Sequence, residues 1–296
     1  IFIRCASNPS SPATDCYEIN LADAHPQGFL TGSIVGLHKF EPGKPTADDK
    51  WHQLKITANK NDFSIQIDEQ ISTQFKDERP EWLRSGLIGL QKNSGEVAFR
   101  NIQLKPLNQA DLFNGKDLAG WREVPGSKSQ FEVVDETIHV TDGAGFLETE
   151  KAYSNFMLQF QAKTHAIELN SGLFFRALPG TEKAPSHGYE VQIHNGIKDK
   201  DRNTPNNAGT GAIFRRVDAR RVVSSDNKWC TITLIADGPQ ISTWVDGYQV
   251  VDWEDTRKPD ENPRKGMKLE AGHLSLQGHD PTTDLSFAKF KLSQLP

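Results

Sequence analysis

The sequence predicts an all-β fold: an antiparallel β-sandwich of jelly-roll type, built as two tandem copies. Short runs rich in branched and aromatic residues recur along the chain, separated by polar turn residues, and no long stretch keeps the apolar period of a helix. The predicted strands of the second copy are Gln130–Val140, Phe156–Lys163, Gly172–Ala177, Gly188–His194, Gly211–Arg216, Trp229–Ala236, Ile241–Val245, His273–Gln277 and Leu285–Leu292.

Comparison of the chain with itself predicts the duplication. Groups of matching residues keep a constant spacing, and the spacing drifts only between groups, because loops tolerate insertions and paired strands do not. The matched pairs are Phe2 with Phe174, Arg4 with Arg176, Tyr17 with Tyr189, Glu18 with Glu190, Trp51 with Trp229, Asp68 with Asp246 and Gln91 with Gln277.

The expected domains are a degenerate β-sandwich repeat at residues 1–107 and a complete, candidate catalytic sandwich at residues 108–296. The second copy starts near Asp111, well upstream of Leu173, which is the counterpart of Ile1. The first copy is therefore expected to be incomplete at its N-terminus, and we expect a longer parent chain, because a sandwich without several strands exposes its core and its sheet edges.

The composition excludes several partners. In 296 residues, 34 basic side chains against 39 acidic ones give a net charge of −5, without the basic stripe of a nucleic-acid-binding protein. No apolar run approaches the roughly 20 residues that span a bilayer, so no membrane partner is expected. Cys5 and Cys16 flank a loop and are predicted to pair if the protein is exported, whereas Cys230 is expected to be a small buried residue.

One strand, Gly188–His194, has a chemically unusual face. Read with the two-residue period of a strand, it places Tyr189, Val191 and Ile193 towards the core and Glu190, Gln192 and His194 on the opposite face. A solvated polar face is the simple alternative. The long loops that follow, 195–209 and 252–272, could wall a cleft over this face.

Neighbouring strands are expected to add polar groups to the same face. These are Arg176, Gln277 and His279, with Trp244 as an aromatic surface for a sugar ring. The sequence indicates no cofactor with certainty, but a divalent metal is possible, and its expected ligands are Glu190, His194 and His279. A Gly-x-Ser-x-Gly elbow, a phosphate-binding loop and a dinucleotide fingerprint are all absent from the sequence.

These motifs together resemble the 3-keto-disaccharide hydrolase family. The resemblance rests on Leu112-Phe-Asn-Gly-Lys-Asp-Leu with Trp121, on the segments 170–176 and 188–193, on Gly211-Ala-Ile, on Trp229 and on Leu276-Gln-Gly-His279; Phe99-Arg-Asn-Ile102 adds to it in the first copy. It implies a concanavalin-like sandwich similar to laminarinase-type glycosidases, an extracytoplasmic (periplasmic or secreted) location, and a glycoside or oligosaccharide substrate oxidised at C3. Where many members have an Asp after this strand, the chain has His194 and Asn195.

The chemistry of such a substrate assigns roles. A ketone at C3 acidifies the C2 proton, so a base can form an enolate, the substituent at C1 can leave, and water can add to complete a net hydrolysis. Glu190 or His194 is the expected base, Arg176 the partner of the enolate oxygen and His279 the acid, while Gln192, Gln277 and Trp244 bind substrate. The alternative is a non-catalytic carbohydrate-binding module. A conventional β-glycosidase ranks third, because Glu190 has no second carboxylate nearby on its strand.

The first copy is predicted to be non-catalytic. It keeps Arg4 and Glu18 but has Asn20 in place of Gln192, Ala22 in place of His194 and Asn93 in place of His279. Retention of the strand core with loss of both imidazoles is typical of a structural or sugar-binding copy.

Overall fold

The computed structural model describes residues 1–40 and 50–295, and it divides into two compact units, unit 1 (Ile1–Lys105) and unit 2 (Pro106–Pro296). The described residues form one short helix and twenty-one strands, so the predicted all-β fold is confirmed. No helix among them is long and apolar enough to span a bilayer.

The elements of unit 1 are β1 (Phe2–Cys5), α1 (Pro12–Asp15), β2 (Tyr17–Glu18), β3 (Leu54–Asn59), β4 (Asp62–Ile67), β5 (Gln70–Lys76) and β6 (Leu87–Gly89). Among its described residues the strands form two three-stranded antiparallel sheets, with the orders β2-β1-β6 and β3-β4-β5. The core of unit 1 is formed by Tyr17, Ile19, Ile34, Phe63 and Ile65.

The cysteine predictions are confirmed. Cys5 at the end of β1 forms a disulfide with Cys16, directly before β2, and both residues are buried. The bond closes the loop that contains α1. Cys230 is a free, buried thiol, and burial raises its pKa to about 12, so it is chemically inert at neutral pH.

Unit 2 is a sandwich of two antiparallel sheets. Its elements are β7 (Ala110–Asp111), β8 (Trp121–Glu123), β9 (Gln130–Val134), β10 (Thr137–Thr141), β11 (Gly145–Tyr153), β12 (Phe156–Thr164), β13 (Ser171–Leu178), β14 (His187–Ile193), β15 (Ile197–Lys198), β16 (Asp201–Pro205), β17 (Cys230–Asp237), β18 (Gln240–Val245), β19 (Tyr248–Glu254), β20 (Gly272–Gly278) and β21 (Asp284–Gln294). The larger sheet has the order β19-β18-β17-β12-β21-β10-β9, with β7 also paired to β21, and the smaller sheet has the order β14-β13-β20-β11-β8. Strands β15 and β16 form a separate hairpin.

The core of unit 2 lies between these two sheets. Alternate residues of β14 and β13, such as Tyr189, Val191 and Leu173, join the same buried cluster as Leu234 and Phe287 of the larger sheet. Because side chains alternate across a strand, the residues between them point away from the core. The smaller sheet therefore presents Glu190 and its neighbours on its outward face.

Two strand predictions are wrong in detail. Gln130–Val140 is a hairpin, because Asp135 and Glu136 both take positive φ and turn the chain between β9 and β10. Gly211–Arg216 is a turn rather than a strand, because Gly211 and Arg215 take positive φ. Ile213 makes only isolated bridges, yet the backbone of this turn still bonds the free edge of β14.

Arg176 does not share the outward face with Glu190, contrary to the sequence prediction. It lies in a β-bulge of β13, with φ at 47°, where the pairing register with β14 shifts. Its buried guanidinium donates to the carbonyls of Ser154, Gly238 and Lys268 at 2.8–2.9 Å and to the side-chain oxygen of Asn155 at 3.1 Å. The role of Arg176 is thus to join backbone segments inside unit 2.

A second buried network lies beside this arginine. The Tyr189 hydroxyl donates to Asp255 at 2.7 Å and accepts from the Lys268 N–H at 2.9 Å. Arg257 donates to both carboxylate oxygens of Asp255, at 2.8 and 2.7 Å. These contacts tie the start of the loop that follows β19 to strand β14.

Unit 1 repeats the same network. The Tyr17 hydroxyl donates to Asp77 at 2.5 Å and accepts from the Leu83 N–H at 3.3 Å, and Arg79 donates to both carboxylate oxygens of Asp77. Arg4 also has positive φ and donates to backbone carbonyls, including that of Leu83 at 2.9 Å. This repetition of contacts fits the predicted duplication.

We expect Arg176→Gln to lower the free energy of unfolding by about 3–5 kcal/mol, because several buried carbonyl groups lose their donor at once. Urea unfolding of the full chain, followed by fluorescence, measures the change. Arg220→Gln is the matched control: this arginine is exposed, and its loss should cost less than about 1 kcal/mol. An equal, small effect of both substitutions would contradict the structural role of Arg176.

Candidate functional site

The polar row of β14 is buried rather than solvated. Glu190 is 6%, Gln192 1% and His194 7% exposed. The row therefore is not the simple solvated surface that the sequence left open as an alternative. Burial of an acid, an amide and an imidazole is costly unless each finds partners, so their surroundings are informative.

Glu190 lines a small cavity of about 180 Å³. Most of its walls come from the turn after Gly211 and from the long loop before β20, as predicted for that loop. The lining residues are Gly188, Tyr189, Glu190, Phe214, Arg215, Arg216, Pro263 and Arg264. Three arginines thus line the same cavity as one buried acid, and all three were missed from the sequence because they lie on a turn and a loop.

Packing holds the Glu190 side chain in place. On the neighbouring strand, Gly172 leaves the space it needs, since a Cβ there would lie 2.8 Å from the Glu190 carboxylate. Arg264 approaches Glu190 with its Nη2 3.5 Å from Oε2, while its Nε donates to the Ser186 carbonyl and its guanidinium lies over the Phe174 ring. Arg216 in turn donates to the Arg264 carbonyl at 2.6 Å.

Burial raises the pKa of Glu190 to about 7, and the positive charges of Arg264, His279 and Arg215 only partly oppose this effect. A carboxyl with this pKa is present in both protonation states near neutral pH. It can therefore take up or release a proton in a reaction, as a general base or acid must.

The same face carries buried oxygens without a hydrogen-bond partner. Among the described residues these include Gln192 Oε1, Gln277 Oε1 and Ser275 Oγ. The side-chain nitrogen of Gln192 donates to the side-chain oxygen of Asn170 at 2.9 Å, so the Gln192 side-chain oxygen is the atom that has no hydrogen-bond partner. Unsatisfied buried acceptors are uncommon in native proteins, so these oxygens are groups of this face that are free to accept one further hydrogen bond.

His279 lies near Glu190, close enough for its charge to lower the pKa of that carboxyl. It is partly exposed, and its Nδ1 contacts Asp280 at 2.8 Å. It also lines a second, larger cavity of about 450 Å³, together with residues such as Ser127, Phe146 and Glu182. The structure thus brings Glu190, Gln192, Gln277 and His279 to one face, as the sequence predicts.

His194 has a different environment. Its Nδ1 accepts a hydrogen bond from the Gly196 N–H at 3.2 Å, and a Cβ at Gly196 would lie 2.6 Å from the ring. Burial lowers its pKa, so the imidazole is neutral at neutral pH. It does not line the Glu190 cavity. These contacts favour Glu190 over His194 as the acid–base group.

Two predicted members lie away from the face. Arg176 is turned into the interior by its bulge, as described above. Trp244 lies on β18 of the larger sheet, paired with Thr233 and Gln249, so it cannot provide a sugar-stacking surface beside Glu190. A strand pattern around Trp244 does not show to which of the two sheets the strand belongs.

The predicted metal ligands Glu190, His194 and His279 do not come together. Within residues 1–40 and 50–295, they are not a set whose ligand atoms lie close enough to hold one ion. The separation has a simple cause: His194 is held under Gly196 at the end of β14, whereas His279 follows β20 and bonds Asp280.

Unit 1 keeps the backbone of this site without its charges. In unit 2, Ile213 forms isolated β-bridges with Val191 and with Val217. In unit 1, Ile34 forms the equivalent β-bridges with Ile19 and with His38. In this alignment Gly36, with φ at 76°, takes the place of Arg215, with φ at 59°. Leu37 takes the place of Arg216. Glu18 thus has the scaffold of Glu190 but not the arginines of that turn.

The comparisons with known proteins place the chain in the carbohydrate-active class of β-sandwich proteins. It belongs to the family described as the 3-keto-alpha-glucoside-1,2-lyase-like domain, whose model matches residues 1–105 and again residues 108–293. The resemblance found in the sequence is therefore confirmed, and the two matched segments fit the predicted tandem copies.

Solved structures share the fold. A candidate glycosyl hydrolase from Parabacteroides distasonis ATCC 8503 has a TM-score of 0.51 at 20% identity, covering 62% of this chain and 93% of that one. Another from the same organism has a TM-score of 0.50 at 21% identity, covering 64% and 100%. A carbohydrate binding module from Bacillus subtilis is more distant, with a TM-score of 0.42 at 17% identity, covering 59% and 96%. The search of curated proteins found no match.

We expect Glu190→Gln to stabilise the protein above neutral pH. Below the unfolded-state pKa of 4.5 both states are protonated. Between that pH and the folded pKa of about 7 the unfolded chain ionises while buried Glu190 stays protonated, so the wild type loses stability that the glutamine variant keeps, and the loss is complete above pH 7. The gain at about pH 8, relative to about pH 4, should reach up to about 3 kcal/mol, since one pKa unit is worth about 1.4 kcal/mol.

Urea unfolding at several pH values measures this gain. Glu150→Gln is the matched control, because Glu150 is an exposed acid of the same unit and its charge stays in water. A gain from Glu190→Gln that does not grow with pH would show that Glu190 is not a buried, titrating acid.

Proposed function

We propose that unit 2 cleaves 3-keto-glycosides, with Glu190 as the base that removes the C2 proton. The observation that carries this proposal is the buried carboxyl of Glu190 in an arginine-lined cavity, with a pKa raised to about 7. A C2 proton beside a ketone needs a base that is largely ionised near neutral pH yet basic enough to accept it. The family description, a 1,2-lyase acting on 3-keto-glucosides, supports the same reaction.

The proposed reaction proceeds in two stages. The Glu190 carboxylate takes the proton from C2, and the electron pair of that bond moves to give the enolate of the C3 ketone. Arg264, assisted by Arg215, replaces Arg176 as the positive partner of the enolate oxygen. The C1–O bond then breaks with the electron pair leaving on oxygen, and His279 protonates that oxygen. Addition of water to the resulting enone gives the free 3-keto sugar.

Substrate hydroxyl groups would donate to the unpaired oxygens of Gln192 and Gln277. The larger cavity beside His279 is proposed to hold the leaving group, since His279 would protonate its oxygen. Unit 1 is proposed to be non-catalytic. The Cys5–Cys16 disulfide supports an extracytoplasmic location, because disulfides persist in oxidising compartments.

A carbohydrate-binding module remains the second candidate function. The unpaired oxygens of Gln192, Gln277 and Ser275 favour it, since they would bind hydroxyl groups without any chemistry. A conventional β-glycosidase fits less well. The other buried acid of this face, Glu148, is separated from Glu190 by Ser275 and Phe174 on the intervening strands. Three strand spacings are roughly 14 Å, more than two carboxylates flanking one glycosidic bond require.

We expect the full chain to release the aglycone from a 3-keto-glucoside and to produce a transient ultraviolet-absorbing enone. The rate should rise with pH through about 7, because the base acts only when Glu190 is deprotonated. Glu190→Gln should lower kcat at least about 100-fold, as is typical for loss of a general base. Arg264→Gln should lower the rate and move the rising limb to higher pH, because it removes a charge that lowers the pKa of Glu190.

The matched control is Glu18→Gln in unit 1, which should leave turnover unchanged. Runs with and without a chelator test whether a metal takes part. Saccharide binding by the wild type and by Glu190→Gln, with no turnover of any 3-keto substrate, would instead establish the binding module. A rate independent of Glu190 would overturn the proposed mechanism.

A second substitution separates the scaffold from the chemistry. We expect Arg215→Gly to lower turnover about 10-fold, because a positive group beside the cavity is lost. It should stabilise the fold by up to about 1 kcal/mol, because glycine adopts the left-handed conformation more easily. The reciprocal Gly36→Arg in unit 1 is the control, and it should destabilise the protein without changing turnover. Unchanged turnover of Arg215→Gly would remove Arg215 from the mechanism.

A further inference from the structure

A cluster of two histidines and one aspartate lies on the larger sheet of unit 2, apart from the Glu190 face. His139 on β10, His165 directly after β12 and Asp284 at the start of β21 each offer a ligand atom, and these atoms all lie within 4.8 Å of one another. Among the described residues, this is the only group of three such side chains that could hold one ion. This group is not apparent from the sequence, because the three residues are far apart in the chain.

The sheet register explains why they meet. Strand β21 lies between β10 and β12, with Ser286 opposite His139 on one side and opposite Lys163 on the other. The backbone N–H of His165 donates to the Asp284 carbonyl at 2.9 Å, which fixes the chain just beyond β12. Their neighbours Ile138, Val140 and Leu285 point into the core. The cluster therefore lies on the outward face of this sheet, whereas Glu190 lies on the outward face of the other.

The side chains are already oriented towards one another. Nε2 of His139 contacts Asp284 Oδ1 at 2.8 Å, and the two imidazole rings meet edge to face with centroids 5.5 Å apart. Nε2 of His165 contacts the Ser286 hydroxyl at 2.9 Å, which holds the ring in place. All three cluster residues are half-buried, so their rotamers are restricted while an ion can still reach them.

We propose that His139, His165 and Asp284 bind a divalent transition-metal ion of the Zn²⁺ type. Two imidazoles and one carboxylate are a ligand set that such ions prefer, with water as the expected remaining ligand. In a tetrahedral site with bonds of about 2.0–2.2 Å, ligand atoms lie about 3.3–3.6 Å apart, so ligand atoms that now lie up to 4.8 Å apart move together by about 1 Å when the ion binds. The bound ion cross-links three neighbouring strands and stabilises the folded state by mass action.

One neighbour opposes the ion. Lys163 lies two residues before His165 on the same face of β12, and its positive charge acts on the His165 ring. This repulsion allows a metal site to be distinguished from a simple His–Asp ion pair. If the cluster binds a metal ion, removal of the lysine charge should tighten metal binding. A purely structural pair would gain no metal affinity from that change.

The test uses the full chain without a histidine tag, freed of metal by a chelator that is then removed. Titration calorimetry with Zn²⁺ should show one saturable site. Asp284→Asn and His165→Gln should each weaken binding at least about 10-fold, while Lys163→Gln should strengthen it. His187→Gln is the matched control, a half-buried histidine on the other sheet, and it should not change the affinity.

Zn²⁺ should also raise the midpoint of thermal unfolding of the wild type but not that of Asp284→Asn. Circular dichroism of each variant without metal establishes that it is folded. Absence of saturable binding by the wild type, or binding that is unaffected by both Asp284→Asn and His165→Gln, would overturn the site. Neither result bears on turnover at Glu190, which is measured separately.

Discussion

The geometry of unit 2 depends on the hydrogen bonds that the buried guanidinium of Arg176 makes. It binds the carbonyls of Ser154, Gly238 and Lys268, which belong to three separate chain segments. A charge buried this deeply is tolerated because its donors are satisfied by fixed carbonyl dipoles. The bulge that turns Arg176 inward also ends the regular alternation of β13, so that Gly172 and Phe174, before the bulge, remain beside Glu190 on the outward face.

The network of Tyr189, Asp255 and Arg257 extends this anchor to the loop that carries Arg264. Unit 1 has the equivalent Tyr17, Asp77 and Arg79, yet its chain from Asp77 to Leu83 is shorter than the segment from Asp255 to Lys268, which contains Arg264. The anchors are therefore common to both units, while the arginines around Glu190 occur in the second. The contacts that maintain the fold are therefore carried by different residues from those around Glu190, and the substitutions at Arg215 and Gly36 make use of this difference.

The sequence predicted the fold class, the β14 alternation and the gathering of Glu190, Gln192, Gln277 and His279, because the two-residue period fixes which side chains share a face. It could not show the bulge at Arg176, since a bulge reverses side-chain direction without changing the local pattern. Arg264 and Arg215 were missed because turn and loop conformations depend on tertiary contacts. One signal was available: aligning Gly36 with Arg215 would have shown a glycine turn position occupied by a charged residue.

Two of the buried acids of unit 2, Asp255 and Glu190, have pKa values that move in opposite directions, and the difference explains their roles. Burial acts to raise the pKa of Asp255, but hydrogen bonds from Arg257 and Tyr189 outweigh it and leave that pKa lowered. Glu190 is desolvated more strongly than Asp255, and its one arginine contact is long, at 3.5 Å, so burial prevails and the pKa rises to about 7. A closer, two-fold contact with Arg264 would stabilise the carboxylate and weaken it as a base. Loss of Arg264 would leave Glu190 protonated at neutral pH. The intermediate distance keeps a proton-accepting carboxylate available at the pH where the proposed reaction needs it.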